Sequence, residues 1–63
     1  MHIEHVTLYN KRADGGTVQS SFGFERSALK AAREMGLTQF VIAIKDRILR
    51  AEGVSNPRAF ING

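Results

Sequence analysis

Thr38-Gln39-Phe40-Val41-Ile42-Ala43-Ile44-Lys45-Asp46-Arg47-Ile48-Leu49-Arg50-Ala51-Glu52 reads in two ways, and the fold follows from the choice. As a helix, Thr38 is the N-cap, Gly53 the stop, and Phe40, Val41, Ile44, Ile48 and Ala51 form one stripe, with Ile42 and Leu49 stranded on the far side. As two strands, Phe40, Ile42 and Ile44 alternate with Val41 and Ala43. Lys45-Asp46-Arg47 then makes the turn, and residues 48–52 return. β-branched side chains crowd a helix and fit a pleated surface, which favours the strands.

Upstream, residues 3–10 and 17–24 are extended segments rich in β-branched and aromatic residues. The Asp14-Gly15-Gly16 step between them supplies residues that tolerate positive φ, so residues 1–24 read as a β-hairpin. In its second strand Val18, Phe22 and Phe24 share a face by the period of two, and Gln19, Ser21 and Gly23 share the other. Residues 25–36 carry the helix formers Ala28, Leu29, Lys30, Ala31, Ala32, Arg33 and Glu34, with Gly36 as the stop. The spacing of Ala28, Leu29, Ala32 and Met35 makes one buried stripe, while Arg26, Lys30 and Arg33 occupy another face. A turn at Asn56-Pro57 opens the tail, residues 53–63, whose Phe60 and Ile61 close the core. The fold class expected is α+β: a ββαββ unit spanning residues 1–63 as one small domain. The alternative is a hairpin followed by two helices.

Size and composition bound what such a chain does. Its 63 residues are 43% hydrophobic and 24% charged, with no cysteine. A domain this small, lacking disulfides and a set of zinc ligands, depends on its own core or on association with another chain. A homodimer formed through open sheet edges is one form of that association. The formal charge is +3, and the whole excess lies from Glu25 onward, which tilts the chain toward polyanions. No stretch approaches a membrane span, and Met1-His2-Ile3-Glu4-His5 lacks the pattern of a signal peptide, so the expected location is cytoplasmic, away from membranes.

Motifs for chemistry are sparse. Ser27-Ala28-Leu29-Lys30 matches a serine-lysine nucleophile pattern without its companion motifs, and Ser27 stands where a serine near a helix start caps or faces water. His2 and His5, with Glu4 between them, lie three apart on a strand and so point to opposite faces rather than to one metal. Asp14-Gly15-Gly16 lacks the helix that follows a phosphate-binding loop. No catalytic residue, metal site or cofactor is expected.

Cations carry the functional expectation. Arg26, Lys30 and Arg33 on successive turns can track a phosphate backbone or an acidic protein surface, and Lys45, Arg47 and Arg50 extend the patch if the second hairpin lies beside the helix. With Val6 and Leu8 turned inward, Ile3, His5, Thr7 and Tyr9 share the wet face, where Tyr9 can stack on a base beside Lys11 and Arg12. The reading is a nucleic-acid-binding accessory or regulatory protein. Its alternative is a protein-binding modulator or inhibitor of the kind phages and mobile elements encode.

Ala32-Arg33-Glu34-Met35-Gly36-Leu37-Thr38-Gln39 resembles the turn of the helix-turn-helix DNA-binding motif: a small residue, a glycine four places on, an apolar residue, then Thr-Gln. The resemblance implies a recognition helix beginning near Thr38 and presenting Gln39 to the major groove. The chain departs from that pattern at Phe40, Val41 and Ile42, which stand where base-reading side chains would.

Overall fold

The computed structural model describes residues 5–62. Strand β1 (Val6–Lys11) pairs with β2 (Thr17–Phe22), helix α1 (Glu25–Glu34) follows, β3 (Phe40–Ile44) pairs with β4 (Arg47–Glu52), and a short helix α2 (Pro57–Asn62) ends the chain. The four strands form one antiparallel sheet in the order β2-β1-β3-β4. The ββαββ α+β architecture expected from the sequence is therefore present, with α2 added. Of the expected start of the first strand, Ile3 and Glu4 lie outside the described residues, as does His2.

Residues 40–44 are a strand, so the two-helix alternative and the recognition helix implied by the helix-turn-helix resemblance are both corrected. The reason is position. β3 lies inside the sheet, and Phe40, Val41, Ile42 and Ala43 are all buried, alternately on its two faces. A strand covered on both sides needs the unbroken apolar run that Phe40 to Ile44 supplies, and a helix would have left part of it in water.

Facing residues in neighbouring strands share a side of the sheet, so the pairings Leu8 to Ser20 and Leu8 to Ile42 assign the faces. Val6, Leu8, Phe40 and Ile42 form one core with Ala28 and Ala32 of α1. Both alanines are fully buried, and their small side chains bring the helix close to the sheet. Glu25 in the first turn and Arg33 in the last complement the helix dipole. The helix ends as a Schellman motif: Gly36 at φ +67° donates to the Arg33 carbonyl and Leu37 N–H donates to the Ala32 carbonyl, each at 3.0 Å. Here Met35 departs from the expected buried stripe. It is the C-cap, 58% exposed, and Leu37, carried round by the Gly36 turn, packs against the core instead.

Phe24 departs as well. β2 ends at Phe22, and Phe24 is the extended N-cap of α1, 65% exposed rather than on the core face. On the opposite side of the sheet, Val41 and Ala43 are buried under α2, and Phe60 and Ile61 are half-buried there. Helix α2 begins at Asn56, whose side-chain oxygen accepts the Ala59 N–H at 3.3 Å and whose carbonyl accepts the Phe60 N–H at 3.0 Å, with Pro57 at the first helical position. No helix among the described residues is long and apolar enough to cross a membrane.

Candidate nucleic-acid interface

Helix α1 sets the geometry of the candidate surface. With Ala28 and Ala32 pressed on the sheet, the helical period turns Arg26, Lys30 and Arg33 to the opposite, exposed side. Phe24 stands beside the start of this row. The Arg26 guanidinium carbon lies 5.8 Å from its ring centroid, within range of a cation–π contact. Exposed aromatic and row of cations are thus contiguous. Sequence reasoning missed Phe24 by extending the strand alternation through Gly23. The signal against that extension was the Glu25-Arg26 start of the helix, which leaves no room for strand pairing at residue 24.

The remaining cations divide into groups. Arg50 lies beside α1, as the extended patch requires, but acids meet it there. Its Nη1 donates to Glu52 Oε2 at 3.0 Å and its Nε lies 4.0 Å from Glu25 Oε2. Arg33 Nη2 donates to the same Glu52 oxygen at 3.2 Å. Two arginines and two glutamates therefore offset one another along the flank of α1 that faces β4. These pairs are largely exposed, so each holds its arginine weakly, and an incoming phosphate can compete for Arg33. Lys30 and Arg47 have no side-chain partner among the described residues. Arg47 faces Ile44 on the α1 side of the sheet and, with Lys45 in the β3–β4 turn, sits toward the end of the sheet where α1 begins.

Tyr9, Lys11 and Arg12 do not join this surface. Tyr9 and Lys11 are half-buried on the opposite face of the sheet. Lys11 Nζ donates to Thr17 Oγ1 at 2.7 Å and sits 5.0 Å from the centre of the Phe60 ring. Arg12 is held in the hairpin turn, where its Nε donates to Asp14 Oδ1 at 3.2 Å. The same oxygen accepts the Gly16 N–H at 2.8 Å. The Gly16 amide first, and the Arg12 guanidinium after it, hold the Asp14 carboxyl below its ordinary 3.8. The Asp-Gly-Gly step is a turn closed by its own aspartate.

A depression of about 380 Å³ lies between Lys11, Gln39, the Gly53–Asn56 connection and Phe60, open to one side. Lys11, the one cation lining it among the described residues, is already engaged by Thr17 and Phe60. No group of three or more His, Cys, Asp or Glu residues able to hold a metal occurs among the described residues. Inside the sheet, Asn10 is 6% exposed and its Oδ1 has no hydrogen-bond donor among the described residues. Compared with family models, with curated proteins and with solved structures, the chain finds no significant match.

Proposed function

We propose that this is a cytoplasmic, non-enzymatic nucleic-acid-binding protein of accessory or regulatory type, and that the outer face of α1 is its binding surface. Arg26, Lys30 and Arg33 take successive phosphates, and Phe24 stacks on an unpaired base. Phe24 carries the reading: an aromatic 65% exposed beside an arginine, at the head of a row of cations. A solvated charged face needs no such ring, whereas single-stranded nucleic acid is held by this pairing of stacking and charge.

The test is a fluorescence-anisotropy titration of short single-stranded DNA, RNA and duplex DNA at two salt concentrations. Three phosphate contacts on a single strand give a log–log salt slope of about −2, so affinity should fall about 20-fold between roughly 50 and 200 mM salt. Changing Arg26, Lys30 and Arg33 together to Ala should remove both the binding and the slope. No binding at the lower salt would discard the proposal.

A protein-binding modulator of the phage or mobile-element kind is the second reading, favoured by the outer edge of β2. This six-residue strand carries no charge and has nothing paired on its far side among the described residues.

A further inference from the structure

The two edges of the sheet are built differently. β4 is guarded: its register with β3 slips between Ile42 and Ala43, and it carries Arg47, Arg50 and Glu52. Bulges and charges of this kind keep strand edges from pairing with other chains. β2, Thr-Val-Gln-Ser-Ser-Phe, has no charge, proline or bulge, and its register with β1 runs unbroken from Thr17 to Phe22. Arg12 N–H donates to the Gly16 carbonyl at 2.8 Å, which sets the alternation of the ladder. From there Val18, Ser20 and Phe22 direct their backbone groups to β1, and Thr17, Gln19 and Ser21 direct theirs outward.

From this edge we infer that the chain forms a homodimer by pairing β2 with β2 of a second copy, antiparallel about a two-fold axis at Ser20. The register follows from the side chains. Residues that face one another across an antiparallel pair share a side of the sheet, so the axis passes through a residue, and only axes at Ser20 or Gln19, beside the strand's midpoint, pair most of β2. Centred on Ser20, Val18 meets the second copy's Phe22 on the α1 side, Ser20 meets Ser20, and Gln19 meets Ser21 on the other side. Apolar then faces apolar, and polar faces polar. Centred on Gln19, Val18 meets Ser20 and Phe22 meets Gly16, so both apolar side chains lose their match.

Val18 and Phe22 are only half-buried in one chain, and the pairing extends the small core of each copy across the seam. Both α1 helices then lie on the same side of a continuous sheet. Helix α1 packs mainly over β1, so the helices are three strand spacings apart, about 14 Å. Their cationic faces point the same way. The dimer does not depend on the nucleic-acid reading and is tested without nucleic acid.

Sedimentation equilibrium from about 1 µM to 1 mM should show a mass rising toward twice 7.0 kDa. Because the chain has no cysteine, Ser20→Cys introduces a single thiol. At the axis its Cα lies about 4.5 Å from its mate, as in a non-hydrogen-bonded antiparallel pair, and within disulfide range. Mild oxidation should crosslink Ser20→Cys fully and Gln19→Cys little. The double change Gln19→Lys and Ser21→Lys sets lysine against lysine across the seam. Both positions are exposed, so the circular dichroism should be retained while the mass falls to that of one chain. A single-chain mass throughout the range, a dimer that survives the two lysines, or equal crosslinking at Gln19 and Ser20 would each overturn the inference.

Discussion

Replacing Gly53 by alanine, with Gly36→Ala as its control, probes the β3–β4 hairpin on which the fold turns. The two glycines have nearly the same backbone, φ +65° and +67°. A left-handed conformation costs an alanine about 1–2 kcal/mol, less roughly 0.4–1 kcal/mol recovered from the restricted unfolded chain. Gly36→Ala meets nothing within 4 Å among the described residues and should cost about 1 kcal/mol. At Gly53 the new methyl would run into the Thr38 carbonyl oxygen, with Gln39 Cγ at 3.1 Å and the Thr38 carbonyl carbon at 3.2 Å. That oxygen belongs to backbone, so relief requires the start of β3 to move, adding about 1–3 kcal/mol. The total of about 3 kcal/mol is a large share of the roughly 3–9 kcal/mol available to a chain of this length. In urea, with an m-value of about 1 kcal/mol/M, the midpoint should fall by about 1 M for Gly36→Ala and about 3 M for Gly53→Ala. Were residues 38–52 one helix with Gly53 as its stop, the two losses would be alike. Equal shifts would refute the hairpin register that sets Gly53 against Thr38.

Three further outcomes are expected. Asn10→Val removes a buried Oδ1 that has no donor among the described residues and should raise stability by about 1 kcal/mol in the same urea series, whereas a loss would mean that Asn10 has a partner. Asp14 has a folded pKa below its unfolded value, so its contribution is fully present above about 3.8 and disappears as pH falls through the lower folded value. The stability gap between the parent chain and Asp14→Ala should hold from neutral pH to about pH 5 and close in stronger acid, as read from denaturation midpoints. Phe24→Ala, at an exposed position, should change stability by less than about 0.5 kcal/mol. The same change should weaken binding of a single strand by about 5- to 150-fold, measured by anisotropy, since stacking contributes about 1–3 kcal/mol per base.

The hairpin over 40–52 was legible because β3 lies inside the sheet and announces itself as an uninterrupted β-branched and aromatic run. Helix α1 was legible from its helix formers and from Gly36. The face assignment failed at Phe24 and Met35, both at the ends of elements, where the period of two or of 3.6 is broken by the chain's change of direction. Helix α2 was missed although Asn56-Pro57 is a helix-start signal, because its apolar face amounts to little more than Phe60 and Ile61. The shared exposed face of Arg26, Lys30 and Arg33 was legible from spacing alone. Their partial neutralisation was not, since Arg33 and Glu52 are joined only once β4 reaches the flank of α1. The period of two did place Tyr9 on the face away from Val6 and Leu8, where the structure has it with Lys11; what local sequence did not show is that α2 packs on that face and leaves both half-buried rather than wet.

The most direct test of the functional account is a ¹H–¹⁵N correlation spectrum of the labelled protein titrated with a short single-stranded oligonucleotide at low salt. Binding on the outer face of α1 requires the amide and side-chain shifts to concentrate at Phe24, Arg26, Lys30 and Arg33, with Tyr9, Lys11 and the α2 helix unmoved. Shifts confined to the Tyr9 face, or a spectrum unchanged at millimolar oligonucleotide, would contradict it.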